Sequence, residues 1–253
     1  MLGVPSSEPP DPAPAGSRVV EAVLFDFQGT LAQVESPIPR VLAAAADCGV
    51  TLDRGRATVL ADRLITVGLA GGPLPHRVPP QLAEVWADRD LYPHAHRAAY
   101  VGLAGLVDCD VDGLAEALYE RLLRPEGWLP YADTAATLRA LRAAGVPVGV
   151  VSNIGFDIRP LFDAWDLTDL VQGWTLSYEV GRCKPDPAIF LRACGALGVD
   201  PERTLMVGDT PADAAAVAAG CAALVLPVSD AGATHGLSAV LALINSSRPG
   251  PGS

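Results

Sequence analysis

A chain of 253 residues, half of them hydrophobic, can bury one large domain or a core domain carrying a smaller inserted one, and this excludes wholesale disorder. With 18 Lys and Arg against 29 Asp and Glu, its net charge of -11 leaves no basic surface to neutralise a phosphodiester backbone or an anionic bilayer, so neither nucleic acid nor membrane is an expected partner. The five cysteines, Cys48, Cys109, Cys183, Cys194 and Cys221, are odd in number, widely spaced and free of any CxxC pair, which argues against a disulfide framework and a zinc site alike.

Residues 1–17 are rich in Pro, Ser and Ala, carry Glu8 and Asp11, and lack both a basic start and an apolar run, so they read as an unstructured tail rather than a secretory signal. Residues 246–253, SSRPGPGS from Ser246 onward, read as a second tail. No stretch is apolar enough for long enough to span a bilayer, and cytoplasmic residence is the expectation. Between the tails, short apolar runs alternate with Ala/Leu/Arg-rich segments, the pattern of an α/β fold with a doubly wound parallel sheet. The strands are expected at residues 19–25, 146–151, 174–178, 204–207 and 223–228. From Phe25 to Val146 the chain offers only helical stretches, at 41–48, 54–68, 81–89 and 111–123, far more than the dozen or so residues a crossover needs. A helical module at 36–125 is therefore expected to be inserted into a core built from 18–35 and 126–245, with the loop LAGGPLPHRVPP dividing it. A helix at 134–144 is expected to start on an Asp133 N-cap and stop at Gly145.

Ligands of open parallel sheets bind beyond the carboxyl ends of the strands, which singles out four places. The first run ends VLFDFQGTL, placing Asp26 at the tip as a nucleophile or merely as a turn cap, with Gly29 and Thr30 in the turn behind it. The second ends VVSN, where Ser152, Asn153 and the following amides can donate to phosphoryl oxygens or serve ordinary turn chemistry. In GRCKPDPAIF, Lys184 is a point charge at the start of an apolar helix, able to hold a phosphate or to sit solvated beside a cap. The fourth run ends LMVGDTPAD, with Asp209 and Asp213 four residues apart. Hard cations take one or two such carboxylates, and Asp213 can alternatively be a charge favoured by a helix N-terminus.

In this order the segments DFQGT, VSN, CKPDP and GDTPAD resemble the motifs of the haloacid dehalogenase superfamily over roughly residues 19–228, including the helical cap between the first two. The resemblance implies a Mg²⁺-dependent hydrolase acting on a small phosphorylated substrate through Asp26, as a monomer or homodimer. It implies that Asp26, the Gln28 carbonyl and Asp209 are metal ligands with Asp213 in support, and that Thr30, Ser152, Asn153 and Lys184 hold the phosphate. Where the phosphatase branches carry a second acid two residues after the nucleophile, this chain has Gln28, whose amide orients a water or leaving group but exchanges no proton. The expectation is therefore a slow phosphatase with a persistent aspartyl phosphate. A weakly catalytic phosphate binder and a dehalogenase, in which Asp26 attacks carbon, stand as alternatives. In the cap, His94, Arg97 and Tyr100 fall three apart in DLYPHAHRAAY and form one stripe that either reads the substrate or faces solvent. Trp86 and Trp128 are expected to pack at the core or hinge.

Overall fold

The computed structural model describes residues 19–247. The proposed N-terminal tail lies outside them, and of the proposed C-terminal tail residues 246 and 247 fall inside, where they complete the last helix.

Strand β1 (Ala22–Phe25) is followed by β2 (Ala32–Val34), then by helices α1 (Pro37–Asp47), α2 (Arg54–Val67), α3 (Ala83–Asp88), α4 (Pro93–Ala104) and α5 (Leu114–Leu122). Strand β3 (Trp128–Pro130) returns the chain to α6 (Thr134–Ala143), β4 (Val148–Ser152), α7 (Arg159–Ala164), β5 (Gly173–Leu176), α8 (Ser177–Val180) and α9 (Pro187–Leu197). Strand β6 (Thr204–Gly208), α10 (Pro211–Ala214), β7 (Ala222–Val225) and α11 (Ser238–Ser247) complete it. The main sheet has the order β5-β4-β1-β6-β7, all parallel. Its chain runs outward from β1 to β5 and crosses back to β6, so the switch in direction falls at β1, where a ligand crevice opens.

Both faces of this sheet are covered, which is why its strands read as apolar runs. Successive residues serve opposite layers: Val23 and Phe25 of β1, Val148 and Val150 of β4, and Leu205 and Val207 of β6 pack with Leu138, Leu161 and Phe162. Leu24, Val151 and Met206 point the other way, onto Ile189, Phe190 and Cys194 of α9. Burying each such large side chain contributes about 1.5–3 kcal/mol. Helix α9 begins where Pro187 follows Asp186, whose carboxylate accepts from the Ala188 amide at 2.9 Å, and ends on Gly198 in the left-handed region.

The insertion has an apolar core of its own, in which Val41 and Ala44 of α1, Leu60 and Leu64 of α2, and Leu114 and Leu118 of α5 meet. It is tied to the core domain by a ribbon that the sequence did not reveal: β2 pairs antiparallel with β3, Gln33 opposite Leu129. Beside that ribbon, the buried Glu35 carboxylate takes a bidentate contact from the Arg121 guanidinium. Asp133 occupies the expected N-cap position of α6, but without a side-chain capping bond. The Asp133 side chain does not close the first turn of α6 but accepts the amides of His235, Gly236 and Leu237 at 2.9, 2.8 and 2.8 Å, because three aligned donors outbid one and pin the segment leading into α11.

Candidate active site

At the tip of β1 the Asp26 amide still donates to the Val207 carbonyl of β6 at 2.9 Å, which fixes the side chain at the sheet edge. Its Oδ1 accepts from the Phe27 amide at 2.7 Å and from Lys184 Nζ at 2.8 Å. Both donors address Oδ1, so Oδ2 is the oxygen left for chemistry. Lys184, just before α9 and almost fully buried, also reaches Asp213 Oδ1 at 2.6 Å. The second oxygen of Asp213 accepts from the Thr210 amide and hydroxyl at 3.0 and 2.7 Å, completing a capping box at the start of α10. With both oxygens engaged, Asp213 positions Lys184 and the turn. Asp209, half-buried in the same turn, is the freer carboxylate.

The glycines of the two motifs let these acids converge. A Cβ added at Gly29, whose φ is +82°, would lie 2.4 Å from Asp209 Oδ2, and one added at Gly208 would lie 2.1 Å from Asp213 Cγ. The Thr30 hydroxyl is fully buried and directed at Asp209 Oδ1, 3.4 Å away. Ser152 ends β4 opposite Leu176, also buried. The Asn153 side chain is committed elsewhere: its Nδ2 donates to the Lys184 carbonyl at 2.8 Å and its Oδ1 accepts the Lys184 amide at 2.7 Å, a two-way staple that holds the lysine loop beside β4.

Electrostatics follow from this crowding. Burial foremost, with the Asp213 charge, raises the Asp26 pKa against the opposing pull of Lys184. Burial works against the Lys184 cation, but the Asp26 and Asp213 charges outweigh it and hold its pKa above the ordinary lysine value. Asp209 is pushed up to about 7, first by burial and then by the charges of Asp26 and Asp213. One ligand atom from each of Asp26, Asp209 and Asp213 lies within 4.8 Å of the others, so three carboxylates face a single lysine. That excess of hard, negative oxygen is the donor chemistry a small divalent cation requires.

Gln28 points away from this cluster, its Nε2 donating to the Gly71 carbonyl of the insertion at 3.0 Å. Beside it lies a partly open cavity of about 50 Å³, bordered by Gln28 and Asn153 from the core and by Asp90, His96, Tyr100 and Trp128 among others. A larger cleft of about 690 Å³ opens at the hinge, between residues 33–37, 69–73 and 228–231, and is lined by none of the three acids. None of the three acids borders the small cavity either, but Gln28 of the nucleophile's turn does.

The expected cap stripe divides. Tyr100 borders the small cavity, whereas His94 is exposed against Tyr92 and Arg97 is exposed in an ion pair with Glu120 at 2.5 Å. Residues three apart on a helix drift about 60° per step, so positions 94, 97 and 100 fan out, while 96 and 100 share a face. His96, which the stripe passed over, is the inward residue. Its Nδ1 lies 2.9 Å from the Tyr119 hydroxyl, and burial foremost, with the Arg89 charge, lowers its pKa to about 3. Its spacing from Ala99 and Leu103 on the buried side of α4 was the signal that could have found it. Trp128 is buried in the core, 4.8 Å from the Phe27 ring, and Trp86 carries the Arg89 guanidinium at 4.1 Å. Among the described residues no helix is long and apolar enough to cross a membrane.

Comparison with known proteins agrees with this geometry. The chain is 30% identical over 215 residues, 80% of its length and 79% of the relative's, to a phosphoglycolate phosphatase of Salmonella paratyphi A. Several other curated relatives are matched over only about two fifths of their length. A HAD family hydrolase of Deinococcus radiodurans R1, solved with bound phosphate and sodium, superposes with a TM-score of 0.53 at 26% identity, covering 89% of each chain. A 2-haloacid dehalogenase of Pseudomonas syringae pv. Tomato DC3000 shares the fold at a TM-score of 0.54 and 22% identity, over 90% of this chain and 99% of that one. The family model for haloacid dehalogenase-like hydrolases matches residues 20–220, and the chain belongs to that family of hydrolases.

Proposed function

We propose that the protein is a Mg²⁺-dependent phosphatase that cleaves a small phosphorylated metabolite through an aspartyl phosphate on Asp26. The observation that carries the reading is the arrangement at Asp26: Lys184 holds Oδ1 at 2.8 Å while Oδ2 is left to attack, and Asp209 stands uncompensated beside it. Asp26, the Gln28 carbonyl and Asp209 are the groups that would hold the cation, which when bound supplies positive charge to the phosphoryl oxygens. Oδ2 attacks phosphorus, the bond to the leaving oxygen breaks, and that oxygen takes a proton. Water then attacks phosphorus, gives up a proton, and regenerates Asp26 with release of phosphate. Lys184 restrains the nucleophile and stabilises charge on the transferred group. Gln28 donates and accepts hydrogen bonds but carries no proton between the two steps, so both lean on solvent.

The rival readings fit less well. Attack on carbon in a dehalogenase leaves Asp209 without a task, and a protein selected only to bind phosphate gains nothing from an anionic Oδ2 facing it. A screen for phosphate release across sugar, nucleotide, acyl and amino-acid phosphates tests the reading. Activity is expected with Mg²⁺, none after chelation or in Asp26→Asn, and recovery when Mg²⁺ is returned. Halide release from a 2-haloacid, with no phosphate release from any ester, would replace this reading with the dehalogenase one.

A further inference from the structure

Gln28 differs from the acid of the phosphatase branches in a second respect: a carboxamide donates hydrogen bonds, and a carboxylate only accepts them. Its Nε2 donates to the Gly71 carbonyl of the insertion at 3.0 Å, where a carboxylate would set oxygen against oxygen. The turn that carries Gly71 is fixed from within the insertion. Arg40 of α1, 1% exposed, donates from Nη1 to the neighbouring Ala70 carbonyl at 2.5 Å and from Nη2 to the Leu118 carbonyl of α5 at 3.2 Å. Gly71, at φ +75°, is seated so close to β2 that a Cβ there would lie 2.7 Å from Val34 Cγ2. A bond to Gly71 therefore holds the body of the insertion rather than a loose loop.

A second core side chain makes the same kind of bond. Ser177, fully buried at the start of α8, accepts the Ile154 amide at 2.8 Å and donates to the Asp90 carbonyl, in the corner between α3 and α4. The competing acceptor, the Ile154 carbonyl, lies farther off at 3.2 Å. Beside this bond the corner presses on the loop after β4: a Cβ added at Gly155 would lie 2.4 Å from both the Arg89 carbonyl oxygen and His96 Cβ. Both carbonyl-bearing residues, Gly71 and Asp90, border the small cavity together with Gln28. At each point an uncharged side chain of the core donates to a backbone carbonyl of the insertion, and each such bond is of modest net strength.

We propose that Gln28 is a positioning residue that, with Ser177, clasps the insertion onto the core at the rim of the small cavity, and that a carboxamide stands at residue 28 because this clasp needs a donor. The bearing of the clasp on turnover rests on the phosphatase reading, whereas the clasp itself does not.

Hydrogen exchange of the full chain without substrate, read by peptide mass spectrometry, tests it in three variants. Gln28→Met keeps the length of the side chain and removes one donor, Ser177→Ala removes the other, and Gly155→Ala adds a methyl group where the corner sits closest while removing no bond. In each variant, exchange should quicken about 2–10-fold in the peptides covering residues 69–72 and 90–96 alike, with β1, β4 and β6 unchanged. The joint response is the signature of a clasp, because Gln28 makes its bond at Gly71 and Ser177 makes its own at Asp90. Unchanged exchange in Gln28→Met, acceleration confined to residues 69–72, or equal acceleration through the core strands would each overturn the proposal. Phosphate release from acetyl phosphate by the unaltered protein with Mg²⁺ tests the phosphatase reading separately. Its absence would remove that reading and leave the clasp, and a failed exchange experiment would remove the clasp and leave that reading.

Discussion

The floor of the site and its roof treat polarity in opposite ways. On the floor, Asp26, Lys184 and Asp213 are buried in contact, linked at 2.8 and 2.6 Å, and every element bringing them there is a core strand end or helix start. On the roof, His96, Tyr100, Trp128 and Phe156 present rings, and polar groups are either neutral or paired off. The difference separates two tasks. On the proposed reading, the phosphoryl group, the same whatever it is attached to, would be met by the fixed, interlocked set, and the varying leaving group by rings that His96 and Tyr100 of the insertion share with Trp128 and Phe156 of the core. Gln28 joins the two, rooted in the β1 turn and bonded to the insertion through Gly71.

The comparison breaks most sharply on the floor. Asp26→Asn should lower phosphate release at least about 10³-fold with an unchanged circular dichroism spectrum, because the amide matches the volume of the nucleophile without its reactivity. Lys184→Met should destabilise the fold by about 3–5 kcal/mol in urea titrations, since it leaves buried carboxylates facing one another without a cation. At the join, Gln28→Asp should speed steady-state hydrolysis of unactivated alkyl phosphates by at least about tenfold, within the range a positioned acid supplies, at the cost of the bond to Gly71. An unchanged rate there would assign proton transfer to a group other than residue 28.

The roof responds to pH through His96. Its pKa in the folded protein, about 3, lies below the ordinary value of 6.5, so the unfolded chain binds the proton first. Its contribution to stability is therefore complete above pH 6.5 and is lost as pH falls toward 3, with a slope on the order of 1 kcal/mol per pH unit. Urea titrations between pH 7 and 5 should show that slope, and His96→Gln should flatten it. The smallest effect belongs to Arg97→Ala. Its exposed pair with Glu120 is worth at most about 1 kcal/mol, and KM should move less than about twofold, against the role its place in the expected stripe gave it.

How much of this was legible in the sequence divides along the same line. Strands β1, β4 and β6 are buried on both faces and stand out as apolar runs, and the residues at their ends, Asp26, Ser152 and Asp209, follow from the position alone. The β2–β3 ribbon was invisible because three residues a side form no run, and its partners are about a hundred residues apart in sequence. Asn153 was legible as a strand-end residue but not as the staple of Lys184, since that pairing exists only when β4 and the loop before α9 are adjacent. Helix α4 was not among the expected helical stretches, and the stripe that supposed a helix there missed its inward face, because spacing by three and by four differ only once the helix has something to face.

The central claim is that Asp26 is phosphorylated and that Gln28 slows its release. Rapid quenching of the protein during turnover of acetyl phosphate with Mg²⁺, followed by peptide mass spectrometry, tests it directly. The predicted result is a phosphate-sized mass increase confined to the peptide carrying Asp26, formed in a burst, absent in Asp26→Asn and less abundant in Gln28→Asp. Steady turnover with no modified Asp26 at any quench time, or with the phosphate on a different residue, would contradict it.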